Sequence, residues 1–312
     1  QAERELANAG FTAPTMAGAK PVWDEGSDRV TGFEILPLAL MDRPRIEVTL
    51  RVSGLFRDVF PDLARLFEAA TGALRLRDEA ADMNPYTAAS EGPRVFAPAP
   101  GSYGLGLSTD ALSDEARRAA GEAWLAASAH TAAGEPARAA LETRLRGADV
   151  FVHTQDLPET DLLLAEDYAA HEAGFAAAMS RLGAPAPALY HLDATRPDVP
   201  KARPLAEEIA RVTRARAANP RWIAGMMRHG FRGAAEIAAT LDHLAAFAHL
   251  AGVVPAHLFD LYHEATLGDP AVRDFLQTAN PQALAAMEAR FAALAGAGLW
   301  QSQSNSRAMG VA

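Results

Sequence analysis

Apolar and polar positions alternate along Ile46-Glu47-Val48-Thr49-Leu50-Arg51-Val52 as in a half-buried strand, and the pattern changes to helical spacing just after Gly54. The spacing predicts a strand over 46–52 leading into a helix near 56–70. Short strands are likewise predicted at 30–36, 94–97, 149–153 and 188–192, with helices near 111–129, 135–146 and 162–182 between them. Such alternation defines an α/β layer with some parallel pairing. Prolines at 197, 200 and 204 then interrupt everything periodic. Beyond them the pattern is helical throughout: Leu205, Ile209 and Val212 keep one face, and Asn219-Pro220, Gly268-Asp269-Pro270 and Asn280-Pro281 are helix-start signals. Later helices are expected over 234–250, 256–265, 270–278 and 281–296. The fold expected is therefore α/β: an alternating strand–helix layer over 1–195, followed by an all-helical region over 196–312. Residues 1–20 read as the cut end of a longer chain, and the tail from Gln301 reads as loose and polar.

Composition narrows the class. A chain of 312 residues with 49% hydrophobic content buries a sizeable core, which removes disordered and collagen-like proteins. No apolar run approaches the roughly eighteen residues of a membrane-spanning helix. The formal charge of −10, from 39 acidic against 29 basic residues, opposes a phosphate backbone, so nucleic acid is not an expected partner. The chain has no cysteine, which excludes disulfides, thiolate zinc sites, iron–sulfur clusters and cysteine nucleophiles together and suits a reducing cytoplasm. Any metal must then use histidine, carboxylate or carbonyl. No GxxxxGK[ST] segment occurs, so ATP is not held by a P-loop.

Three segments carry chemistry. The stretch from His153 to Glu172 packs His153, Asp156, Glu159, Asp161, Glu166, Asp167, His171 and Glu172 into a strand end, a loop and a helix. Asp167 and His171 stand at i and i+4, sharing a helical face, and His153 leaves the C-terminal end of a strand, where α/β sites lie. His153, Asp156, Asp167 and His171 form a mixed imidazole and carboxylate set suited to a borderline divalent cation, and His153, Asp156 and Glu172 are candidates for proton transfer. Capping and the helix macrodipole also account for acidic residues there. A second segment joins Arg43-Pro44-Arg45, Arg51 and Ser53-Gly54-Leu55-Phe56-Arg57-Asp58 around one strand, with Tyr103 in the glycine-rich loop Gly101–Gly106. This is either an anion-binding corner or a capped turn with a surface ion pair. The third, Asn219–Gly230, sets Arg221, Trp222 and Arg228 beside two methionines, a face that lines a flat acidic macrocycle or serves as ordinary packing.

These segments together resemble the large (CobN-type) subunit of aerobic cobaltochelatase and, more distantly, the large subunit of magnesium chelatase. The resemblance runs through VWDEGSDRVTGFEILPLALMDRPRIEVTLRVSGLFRDVFP at 22–61, DMNP at 82–85 and PGSYGLGL at 100–107. It continues through HTQDLPETDLLLAEDYAAHEAGFAAA at 153–178, LYHLDATRPDVPKARPLAEEIARV at 189–212 and NPRWIAGMMRHGFRGAAEI at 219–237. It implies the C-terminal portion of a much larger subunit, and the AEDYAAHEAGFAAA stretch looks like the cobalt branch. The implied reaction is insertion of Co²⁺, as substrate, into hydrogenobyrinic acid a,c-diamide, with ATP and Mg²⁺ used by AAA+-type small and middle partner subunits. On this resemblance His153, Asp156 and Glu172 take catalytic roles and His153, Asp156, Asp167 and His171 handle metal. Arg45, Arg51, Ser53, Arg57, Tyr103, Arg221, Trp222 and Arg228 hold the corrinoid. The alternatives are a magnesium-chelatase subunit inserting Mg²⁺ into protoporphyrin IX, and a helical scaffold that only docks the AAA+ partners.

Overall fold

The computed structural model describes residues 17–24, 26, 30–155, 157–196 and 199–302. The expected cut end before residue 20 and the polar tail lie almost wholly outside the described residues. Among those described, no helix is long and apolar enough to cross a membrane. The chain forms two compact units, residues 1–106 with 125–148 and residues 107–124 with 149–312.

In the first unit β1 (Ala19–Trp23) and β2 (Val30–Ile35) pair antiparallel. Strand β3 (Leu50–Arg51) runs parallel to β4 (Val95–Ala97), which pairs antiparallel with β5 (His130–Thr131). The strand expected over 46–52 is thus confined to its last third. Upstream of it, the Val48 N–H donates to the Tyr86 hydroxyl at 2.9 Å instead of to a neighbouring strand. Two helices follow β3. The Ser53 hydroxyl caps α1 (Gly54–Val59) by accepting the Phe56 N–H at 3.0 Å, and Pro61 opens α2 (Pro61–Arg75). Along α2, Leu63, Phe67, Ala70 and Leu74 recur at helical spacing and are buried, Leu63 and Phe67 against Val52, Phe56, Val95 and Ala97.

The second unit takes most of α3 (Asp114–Ala126); α4 (Arg138–Arg146) belongs to the first. Its sheet repeats the plan of β3–β5: β6 (Val150–Thr154) is parallel to β7 (Ala188–Asp193), and β8 (Lys201–Pro204) adds antiparallel to β7. The crossover from β6 to β7 passes through α5 (Glu166–Tyr168), a π-helical turn (Ala169–Ala173) and α6 (Gly174–Arg181). After β8 come α7 (Leu205–Val212), a second π turn (Thr213–Ala217), α8 (Pro220–Met227), α9 (Gly230–Ala251), α10 (Ala256–Ala265), α11 (Pro270–Ala279) and α12 (Pro281–Gly296). The three helix-start signals work as expected: Asn219, Asp269 and Asn280 each accept backbone N–H groups ahead of or within the first turn, with proline at the helix start. Helix α9 is the axis of this unit, with Ala234, Ile237, Leu241, Leu244 and Phe247 buried, and Gly252 ends it at φ +68°, where a side chain would be strained.

The boundary between units departs from the one expected at the prolines. Leu162, Leu163, Tyr168, Ala169, Ala173 and Ala177 belong to the same core as Ile237, Leu241 and Leu244, so the third sheet and its crossover fold with the helices. Pro204 is the last residue of an edge strand, a place where a missing N–H costs little.

Candidate functional site

Strands β6 and β7 pair in register with His153 opposite His191, and residues opposite one another in a sheet share a face. The two imidazoles therefore stand side by side. Glu172, carried by the π turn of the crossover, meets both of them: Oε1 receives Nδ1 of His153 at 3.0 Å and Nδ1 of His191 at 2.6 Å. The carboxylate side chain is 0% exposed and His191 1%, whereas His153 is 21% exposed. The second oxygen, Oε2, is buried and has no hydrogen-bond partner among the described residues.

Burial works against charge on Glu172, yet the bonds from His153 and His191 outweigh it and hold the carboxyl below its usual range. Burial likewise disfavours the imidazolium of His191, but the bond to Glu172 and the charges of Glu172, Glu208 and Asp193 raise it above the ordinary histidine value. The site is thus a carboxylate between two N–H donors, closed on one side by Tyr168, whose ring lies edge-on to His153 at 5.7 Å and to His191 at 5.6 Å. Phe151 stacks on Phe175 at 4.2 Å, and Trp124 is edge-on to Phe175 at 5.3 Å while its Nε1 donates to the carbonyl of His171 at 3.1 Å. These contacts fix the π turn against the sheet. At the C-terminal end of β7, Asp193 accepts from Arg203 at 2.8 Å, and its carboxyl is lowered to about 2: burial opposes this, and the Thr195 and Arg203 bonds prevail.

His153, Glu172 and His191 are three potential metal-ligating residues whose ligand atoms lie within 4.8 Å of one another. Of the residues expected from sequence, His153 and Glu172 are brought together, and the ring of His171 lies 5.2 Å from that of His153. Asp156 lies outside the described residues. Asp167 is exposed on α5 and is not in the set. His191 was missed, since a lone histidine in Ala188-Leu189-Tyr190-His191-Leu192 reads as a core position. A usable signal existed. His153 and His191 each occupy the fourth residue of their strands, so parallel pairing aligns them.

The expected substrate-holding residues have mixed positions. In the first unit Arg45 is fully buried and committed to Glu79 at 2.7 and 2.8 Å and to the carbonyls of Ala17, Gly18 and Leu36. Arg51 donates to the Ser128 hydroxyl and the Ala127 carbonyl, and Ser53 is spent on its cap. Arg57 is buried, donating to the Pro98 carbonyl and to Asp58, whose other oxygen accepts from the exposed Tyr103 hydroxyl at 2.9 Å. Arg45, Arg51 and Ser53 are thus engaged in holding the fold, and Arg57, though one of its guanidinium nitrogens is buried without a hydrogen-bond partner among the described residues, is enclosed with its other contacts internal. Gly101 (φ +77°) and Gly106 (φ +61°) shape the loop that carries Tyr103. In the second unit Trp222 lies under the guanidinium of Arg216, 4.7 Å from its ring, and Arg216 in turn pairs with Asp161 in the loop between β6 and α5. Arg221 on α8 and Arg228 just after its end are exposed with no ion pair among the described residues.

An α/β chain with a histidine–carboxylate–histidine cluster at the end of a parallel strand pair has the make-up of a site for divalent metal and proton traffic. A profile described as CobN/Magnesium Chelatase matches residues 13–307, and the chain belongs to that family. It is 42% identical to the aerobic cobaltochelatase subunit CobN of a Sinorhizobium species and 44% identical to that of Pseudomonas aeruginosa, over 94% and 93% of this chain and 25% of each relative. Identity to the H-type magnesium-chelatase subunit of Cereibacter sphaeroides is 28% over 93% of this chain and 26% of the relative. The solved catalytic subunit of cobaltochelatase from Mycobacterium tuberculosis superposes with a TM-score of 0.87 at 34% identity, covering 96% of this chain and 27% of that one. The chain therefore spans about a quarter of the length of the relatives it matches.

Proposed function

We propose that this chain works within the large subunit of an ATP-dependent cobaltochelatase that inserts Co²⁺ into hydrogenobyrinic acid a,c-diamide, in the cytoplasm. AAA+-type small and middle subunits consume ATP and Mg²⁺. Insertion requires the metal to shed water and two pyrrolic nitrogens to lose protons while the macrocycle is held still. The observation that carries the reading is the buried carboxylate shared by two imidazoles, one of them reaching solvent, in a chain of this family. The greater identity to cobalt than to magnesium relatives supports the choice of metal.

The test is metal insertion by the assembled complex, followed by absorbance. Co²⁺ should enter hydrogenobyrinic acid a,c-diamide, and Mg²⁺ should not enter protoporphyrin IX. The opposite preference would move the chain to the magnesium branch, and loss of partner docking without loss of corrinoid binding on deleting this region would favour a scaffold.

A further inference from the structure

We infer that His153 Nε2 is the atom this site presents to the incoming metal and macrocycle, and that Glu172 and His191 are positioning residues behind it. The inference rests on the chelatase reading and divides the labour within it. An ionised carboxylate only accepts hydrogen bonds, so both Nδ1 atoms that meet Glu172 Oε1 carry protons. Whichever nitrogen of a histidine is bonded behind fixes what the other presents in front, and neutral His153 is left with its lone pair on Nε2.

Exposure separates the two histidines, which otherwise share the same partner. His191 and Glu172 are sealed, at 1% and 0%, while His153 reaches solvent. A direct ligand role for Glu172 would require an approach to a fully buried group: Oε1 already holds two donors, and Oε2, without a partner among the described residues, is sealed from solvent. His191, sealed from solvent with its Nδ1 on Glu172 Oε1 at 2.6 Å, can act on the metal only through the carboxylate it shares with His153. The imidazole of His191 therefore matters for the hydrogen bond that it donates, and that of His153 for its far nitrogen.

Asparagine separates these roles, because its amide nitrogen stands close to where Nδ1 stands and it has nothing at the place of Nε2. In the assembled complex, His191→Asn should keep kcat for Co²⁺ insertion within about threefold, whereas His191→Leu should lower it about ten- to a hundredfold with KM for the corrinoid little changed. His153→Asn should lose about a hundredfold although it keeps the bond to Glu172. His191→Asn as slow as His153→Asn would overturn the division, and so would His153→Asn near wild type. The asparagine pair decides this even if His191→Leu does not fold. A second readout needs no turnover: diethyl pyrocarbonate followed by mass spectrometry should label His153 well before His191. Equal rates, or His191 first, would sink the assignment. Should the wild-type complex insert no Co²⁺, the chelatase reading fails and the labelling order still decides which histidine presents its nitrogen.

Discussion

Arg45 looked from its sequence neighbours like a group waiting for an anion, and the anion it has found is Glu79. The pair is sealed, with the arginine side chain 0% and the glutamate 7% exposed, and Arg77 adds a further bond to the two from Arg45. Those bonds, Arg45 first, overcome burial and hold the Glu79 carboxyl at about 2, against about 4.3 for a free glutamate. A depressed carboxyl contributes stability that is complete above its unfolded value and is lost as pH falls through its folded value. The window therefore runs from about pH 4.5 down to about pH 2. Urea unfolding of the wild type should show a marked fall between about pH 4.5 and pH 2, and Glu79→Gln should be lower at neutral pH but lose less across that interval. Arg45→Ala leaves a carboxylate buried without its main partner and should cost about 3–5 kcal/mol.

Among the elements, α3 and α6 come closest where Gly121 faces the backbone of Ala177. A Cβ at Gly121 would lie 2.5 Å from the Ala177 carbonyl oxygen and 2.7 Å from its carbon, so one helix must shift. Gly121→Ala should cost about 1–3 kcal/mol, and, because α6 continues directly from the turn bearing Glu172, it should slow insertion as well. Thermal unfolding and kcat on the same preparation check both. Elements with long periodic signals were legible in the sequence: the four helices from 230 onward, the strand-to-helix step at Gly54, and the strands bearing His153 and His191. The two-residue β5 and the four-residue β8 were not, since neither has room for a period and each exists because a partner strand is waiting. The π turn was illegible for a similar reason. Apolar spacing in Ala169–Ala173 fits an α-helix, and only packing against Trp124 and the sheet selects the wider turn.

For the molecule as a whole the issue is where positive charge remains available in a chain of net charge −10. Arg57 is enclosed and bonded to Pro98 and Asp58, while Arg221, Arg228 and Arg232 stand in solvent around the α8–α9 corner, with no carboxylate in ion-pair range among the described residues. Sequence treated Arg57 and Arg228 alike because it shows the residue type and not what surrounds it. The structure separates their expected phenotypes. Arg57→Ala should lower stability and leave corrinoid affinity alone. Arg228→Ala should raise the dissociation constant about tenfold, equivalent to about 1.4 kcal/mol, and flatten its dependence on salt. Binding titrations at low and high ionic strength, beside urea unfolding of both variants, test the pair. Equal salt slopes in wild type and Arg228→Ala would remove Arg228 from substrate binding.

A π-helical turn is an α-helical turn widened by one residue, so the segment Ala169–Ala173 stands a single codon away from a regular helix. Removing one alanine there would satisfy the backbone at least as well, and it would swing the flanking stretches relative to each other by about 100° about the helix axis. Glu172 and Tyr168 could then no longer both face the imidazoles. Point substitutions leave that geometry intact, whereas insertions and deletions destroy it at once. A survey of natural variants should accordingly find this crossover permissive to exchange of its small apolar residues and intolerant of any change in its length.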